Sequence, residues 1–269
     1  MQDYKETAFG IDLDMVYVPG GEFKMGGVPE EGGLNTWCGP IRTIRLDAYL
    51  IGKYPITQAQ WQKVMGTDLK DQWAKRQEQK AKGRLDMPHR IREEPKSKRF
   101  YRKTTFYKMP LETFHLQDIM TDSHPMCLVN WEEAQEFCKK LSEATGKHYV
   151  LPTEAQWEYA ASGGGLNNDL QEFAWQEYPA EHTVGEKMPN VLGVYDMGGI
   201  GEWCSDIWVD KYDPRDLVNP LGPRKSKRPS RQKGWLRPIR GWRMAVFQRM
   251  PFSPTLRFYD FGFRVVLFP

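Results

Sequence analysis

Cysteine is scarce in this chain of 269 residues, and its four copies (Cys38, Cys127, Cys138 and Cys204) form no C-x-x-C pair. That spacing argues against a zinc ribbon or a thioredoxin-like site and leaves four buried or half-buried thiols in a reducing compartment. The five histidines make neither an H-E-x-x-H motif nor a close pair, so nothing in the sequence demands a metal or other cofactor. No apolar run approaches the length of a membrane span, so membrane insertion is not expected. The start, MQDYKETAFGIDLDMVYVPGG, lacks a basic segment followed by an apolar one, and no secretory signal is read from it. The compartment stays open between cytoplasmic and virion-associated settings. Charge of one sign is also lacking, with 38 basic residues against 35 acidic ones, which argues against an evenly basic nucleic-acid coat.

What is abundant is aromatic side chain: 10 Trp, 12 Tyr and 13 Phe, enough to fill the core of a single well-packed domain spanning 1–269. MVYVPGGEFKM (Met15–Met25) reads as a hairpin turned at Pro-Gly-Gly, and RTIRLDAYLI (Arg42–Ile51) as a half-buried strand. Thr57 caps a short amphipathic helix that Gly66 stops. VNWEEAQEFCKKLSEATG predicts a second helix, with Asn130 and Glu133 spaced as a capping box. LPTEAQWEYAASGGG predicts a third, opened by Pro152 and Thr153. Trp131, Phe137, Trp157 and Tyr159 are expected in the core.

Two stretches differ in character. Lys70 to Lys108, within a segment of about 68–122, is rich in basic residues and poor in core formers. It reads as a surface insertion, a solvated arm with a structural role or none in preference to a contact for a nucleic acid or an acidic partner, and no site is placed there. GPRKSKRPSRQKGW reads as a second basic surface loop. The tail from Ile239 to Leu267 has strand-like ends and an irregular middle. The sum is an α+β domain with short strands and long loops.

Three blocks carry a family likeness. HPMCLVNWEEAQEFCKKL followed by LPTEAQWEYAASGG resembles the central motif of the formylglycine-generating enzymes and their sulfatase-modifying-factor relatives. VYVPGGEFKMG and YPITQAQW resemble the family's N-terminal portion; LGVYDMGGIGEWCSDIW, RPIRG and FGFRVV resemble its C-terminal half. The resemblance covers most of the chain outside the basic stretches. It implies a variant of the C-type lectin fold, in which two helices and a small sheet support long loops. The family's oxidases place two copper-binding cysteines shortly after an arginine-glycine step. Here no cysteine follows Cys204, and copper(I) needs soft donors, so the resemblance implies the fold without the oxidase. Where the family carries Gly-Asn near a calcium site, this chain has Gly199-Ile200, and isoleucine has no side-chain oxygen to offer.

The same resemblance implies a second use of the fold. Variable proteins of diversity-generating retroelements display a hypermutated segment between an arginine-glycine step and GFRVV, here about 240–266. Adenine-directed mutation of AAC codons reaches Phe, Tyr, Ser, Leu, Thr, Asp, Arg, Val and Ala, but never Trp, Lys, Glu, Gln or Met. The candidate ligand-binding residues are therefore Arg243, Ala245, Val246, Phe247, Arg249, Phe252, Ser253, Thr255, Leu256, Phe258, Tyr259 and Asp260, expected to be mainly exposed on one face. Trp242, Met244, Gln248 and Met250 would be scaffold. Aromatic and arginine side chains are the usual anchors of such faces. The expected partner is a protein or cell-surface ligand. Two alternatives stay open: a divergent enzyme with other metal chemistry, and a structural paralogue acting through protein partners.

Overall fold

The computed structural model describes residues 2–27, 38–83, 116–166, 179–209, 211–222, 237–240, 246 and 249–268. The second basic loop lies almost wholly outside them, as does the part of the first basic stretch beyond residue 83.

The expected hairpin at Met15–Met25 does not form. Ile11–Val18 (β2) pairs antiparallel with Tyr4–Ala8 (β1) on one side and with Tyr49–Gly52 (β5) on the other. Gly21–Met25 (β3) pairs instead with Arg42–Leu46 (β4) in a separate two-stranded sheet. Two chain segments cross closely at this corner: a Cβ on Gly20 would lie 2.9 Å from the Leu46 carbonyl oxygen. The stretch read as one strand, Arg42–Ile51, is likewise split at Asp47–Ala48 between the two sheets. The Asp47 N–H donates to Asn219 Oδ1 at 2.8 Å and holds the break. The strand alternation is sound within β4 but gives way to complete burial in β5.

The helices follow their local chemistry more closely. Thr57 and Gln60 form a reciprocal capping box at the start of Gln58–Met65 (α1), and Gly66 ends it in the left-handed region. Thr153 and Gln156 do the same for Glu154–Ala161 (α4). Asn130 caps Trp131–Thr145 (α3) by accepting the Glu133 N–H. The expected reciprocal bond from Glu133 is missing, because its carboxylate is engaged by Lys75 and Arg257. Phe137, Trp157 and Tyr159 are buried as expected; Trp131 is only half-buried and donates its indole N–H to the Cys204 carbonyl at 2.8 Å.

A further helix, Leu69–Ala81 (α2), gives the first part of the basic stretch an inward face that the reading as a solvated arm did not anticipate. Asp68 and Asp71 cap it reciprocally, and Leu69, Gln72 and Arg76 face inward and are buried. The inward face is largely polar, so hydrophobic periodicity did not mark it.

The C-terminal segment knits the sheets together. Gly201–Trp203 (β7), Arg237–Arg240 (β8), Arg249–Phe252 (β9) and Phe261–Gly262 (β10) form a four-stranded sheet in the order β10-β7-β8-β9. Val266–Leu267 (β11) crosses to the other sheet, between β5 and Tyr149–Val150 (β6). One core surrounds Trp61, Phe137 and Phe263; the other surrounds Trp157, Tyr49 and Val194. Ile200 belongs to the first of these apolar clusters.

Candidate ligand-binding face

Four arginines of the C-terminal segment each meet a glutamate from the preceding frame. Arg249 binds Glu154 through Nε at 2.6 Å and Nη2 at 2.7 Å, and its Nη1 donates to the Val209 carbonyl at 2.7 Å. Its guanidinium lies 3.8 Å from the centre of the Trp208 ring and 4.2 Å from that of Tyr212. Arg240 pairs with Glu158 and donates to the Val246 carbonyl. Arg264 binds both oxygens of Glu202, at 2.6 and 2.7 Å, while Trp157 Nε1 donates to the same carboxylate. Arg257 bonds Glu133, the Gln72 side-chain oxygen and the Leu128 carbonyl. Burying a charge is costly unless it is paired in this way or otherwise hydrogen-bonded. The sequence carried this pattern in RPIRG, RMPF, TLRF and GFRVV against WEEA, LPTEAQWEYA and GEW, but nothing local announces pairings across 62 to 124 residues.

This corrects the expected exposed face. Arg249 is a buried partner of Glu154. Val246 is fully buried, in the cluster around Trp157. Phe252 is buried edge-on against Phe261 at 4.7 Å, and Leu256 is buried in the other core. Codon reachability says nothing of burial, and these four positions lie where the segment turns inward. Arg243, Ala245 and Phe247 lie outside the described residues, as do Trp242, Met244 and Gln248; Met250 is buried, as a scaffold position should be.

Among the described candidates, those that remain at the surface form one short loop. Ser253 and Thr255 are exposed, with their hydroxyls 2.9 Å apart. Phe258, Tyr259 and Asp260 are half-buried. Phe258 stacks obliquely on Tyr259 at 4.4 Å, and both rings rest partly on the core.

The loop is held from outside through its main chain. The Pro254 carbonyl accepts the Trp131 N–H at 3.0 Å, and the Thr255 carbonyl accepts Gln79 Nε2 at 3.1 Å. The Arg257 carbonyl accepts Arg76 Nη1, the Phe258 carbonyl the Leu128 N–H at 3.1 Å, and the Asp260 carbonyl the Gly201 N–H at 2.7 Å. Leu128, fully buried, sits in the left-handed region at φ 61°, so that its N–H and its carbonyl both serve this loop. Such a conformation costs energy for a side-chain-bearing residue and persists where its surroundings over-determine it. Gly262, which follows, is pressed so close to the Met126 carbonyl that a Cβ would lie 2.5 Å from it.

The thiols offer little reactivity. All four cysteines are buried, and burial pushes every one of them above the ordinary thiol range. Among the described residues no group of three His, Cys, Asp or Glu side chains is arranged to hold a metal ion, and no helix is long and apolar enough to cross a membrane.

Comparison with known proteins fits this architecture. The formylglycine-generating enzyme of Thermomonospora curvata is 29% identical, covering 79% of each chain. The chaperone protein LppX of Paenibacillus barcinonensis is 27% identical, over 84% of this chain and 80% of its own. Among solved structures, Treponema denticola variable protein 1 superposes with a TM-score of 0.68 at 22% identity, covering 99% of both chains. PvdO from Pseudomonas aeruginosa superposes with a TM-score of 0.67 at 21% identity, over 100% of this chain and 98% of that one. These two share the fold. Residues 11–268 match the sulfatase-modifying factor enzyme 1-like domain, and the chain belongs to that family.

Proposed function

We propose that this protein is a non-catalytic binding protein that presents Ser253, Thr255, Phe258, Tyr259 and Asp260 to a ligand, in the manner of the variable proteins of diversity-generating retroelements. The observation that carries the reading is the way the loop is held. Its outside anchors are main-chain carbonyls and the buried Arg257, and a main-chain bond survives any change of the side chain beside it. A surface meant to vary needs this property, since core substitutions commonly cost several kcal/mol. The half-buried Phe258 and Tyr259 supply rigid aromatic area of the kind that anchors a binding face. The fold shared with Treponema denticola variable protein 1 is consistent with such a use. Against an oxidase stands the sequence after Arg240-Gly241, which reaches Pro269 without a cysteine.

The test is the DNA around the gene. A reverse transcriptase gene and a near-identical repeat of the segment encoding 240–266, differing from it at adenines, are expected nearby. The mutable codons should coincide with the five surface positions. A locus with neither element, or a repeat whose adenines fall on Arg249 and Arg257, would overturn the retroelement reading.

A further inference from the structure

We propose that helix α2 is the clamp that sets the conformation of the 253–260 loop, with Arg76 and Gln79 as its positioning residues. The proposal takes from the preceding section that this loop is the binding element, and it assigns a role to a helix that composition alone marks as a solvated arm.

Gln72, Arg76 and Gln79 recur at helical spacing and face the loop. Each makes a bond to it. Gln72 offers its side-chain oxygen to Arg257. Arg76 donates to the Arg257 carbonyl, and Gln79 to the Thr255 carbonyl at 3.1 Å. Lys75, beside them, bonds Glu133 at 2.8 Å, and Glu133 is also the carboxylate partner of Arg257. One helix thus holds two main-chain carbonyls of the loop, those of Thr255 and Arg257, and the side chain of the arginine that roots it.

Arg76 is the telling member. It is buried, 6% exposed, yet among the described residues it makes no ion pair, and its one hydrogen bond there goes to the loop carbonyl. Burying a guanidinium without a carboxylate is costly. A lysine or glutamine directed to solvent would serve an arm with no role. Burial lowers the Arg76 proton affinity, and the nearby Tyr259 and Cys127 oppose this without cancelling it. The side chain stays inside because the loop carbonyl accepts from it. Since Arg76 and Gln79 both bind main-chain oxygens, the clamp tolerates any residue at 255 and at 258–260.

The experiment is amide hydrogen exchange on the full-length protein, resolved at Leu256 and Phe261, whose N–H groups bond the Ser253 and Phe258 carbonyls within the loop. Gly52 and Ile56, bonded to the Val265 and Phe263 carbonyls, are the reference amides. In Arg76→Ala, exchange at Leu256 and Phe261 should rise about tenfold while the reference amides hold, since a hydrogen bond from a charged donor is lost. Arg76→Lys, which keeps one donor, should return the rate to within about threefold of the parent. Gln79→Ala should raise exchange at Leu256 by about fivefold, the value of one neutral hydrogen bond. Unchanged loop exchange in folded Arg76→Ala and Gln79→Ala, or an equal rise at Gly52 and Ile56, would overturn the clamp. Should Arg76→Ala fail to fold, Arg76→Lys and Gln79→Ala decide the matter alone. No ligand enters this measurement, so the clamp can fail while the retroelement reading stands, and the reverse.

Discussion

Arg249 and Glu154 face each other through two bonds of 2.6 and 2.7 Å, with neither side chain accessible to water. Glu154 is the first residue of α4, and Arg249 the first of β9, so the pair ties the central helix to the strand from which the 253–260 loop departs. The rings of Trp208 and Tyr212 both lie against the guanidinium. The arginine is thereby committed to the interior by three kinds of contact, none of which a varied residue would reproduce.

Removing one member of such a pair strands the other charge. Arg249→Ala and Glu154→Ala should each cost about 3–5 kcal/mol in urea denaturation. Arg249→Lys should recover less than half of the loss, because an ammonium cannot make the forked contact or stack on an aromatic ring as a planar guanidinium does. A loss below about 1 kcal/mol for Arg249→Ala would mean that the pair contributes no more than an exposed one.

The loop and its supports should separate sharply when truncated one at a time. Phe252→Ala, at a buried site against Phe261, should cost about 3–5 kcal/mol. Ser253→Ala and Thr255→Ala, at exposed sites, should stay within about 0.5 kcal/mol. Phe258→Ala and Tyr259→Ala should fall between, at about 1–2 kcal/mol, because their inner faces rest on the core while their outer faces do not. Melting temperatures that order these variants differently would show that the loop is either core throughout or free throughout.

Features written in consecutive residues were legible in the sequence. The caps at Thr57 and Thr153 and the stop at Gly66 formed as read, since a cap is a contest among neighbours. Glu133 shows where that ends: its local partner was right by spacing, but a distant arginine and Lys75 claimed the carboxylate. The Pro19-Gly20 turn is similar, for its residues permit a hairpin and the sheet into which each flank fits decides otherwise. In the C-terminal segment the residue types allowed by codon chemistry were the same at Ser253 and at Phe252. Only the packing distinguishes the one that faces water.

Deleting residues 70–108 tests the corrected view of the basic stretch. For a mere loop, closure with a short Gly-Ser bridge would cost well under about 1 kcal/mol. The deletion also removes nearly all of α2, and with it the bonds from Gln72, Lys75, Arg76 and Gln79 to the loop and to Glu133. Stability should therefore drop by several kcal/mol, at about 1 kcal/mol or more for each bond lost. Unchanged denaturation midpoint and slope would restore the solvated arm.

Asp206 gives the fold a dependence on pH that runs against the usual acid denaturation. Burial pushes its carboxyl up to about 7 from 3.8, and the nearby Glu154 charge adds to this, while the Glu154 N–H and Arg249 pull the other way. The folded protein thus keeps a proton on Asp206 that the unfolded chain releases near pH 4. Folding is favoured by this group below about pH 4, and the contribution is lost as pH rises through about 7, with a slope of at most about 1.4 kcal/mol per pH unit. Glu133 acts in the opposite sense: burial raises it, but the bonds from Arg257 and Lys75 outweigh that and hold it below the ordinary carboxylate range. Its contribution is present above about pH 4.3 and lost as pH falls through its lowered value. The two can be separated with Asp206→Asn, which keeps an oxygen to accept the Glu154 N–H bond of 2.7 Å but cannot ionise. The stability of Asp206→Asn relative to the parent should rise between about pH 5 and pH 8. A difference that is flat across that range would mean that Asp206 titrates at its ordinary value in the folded protein.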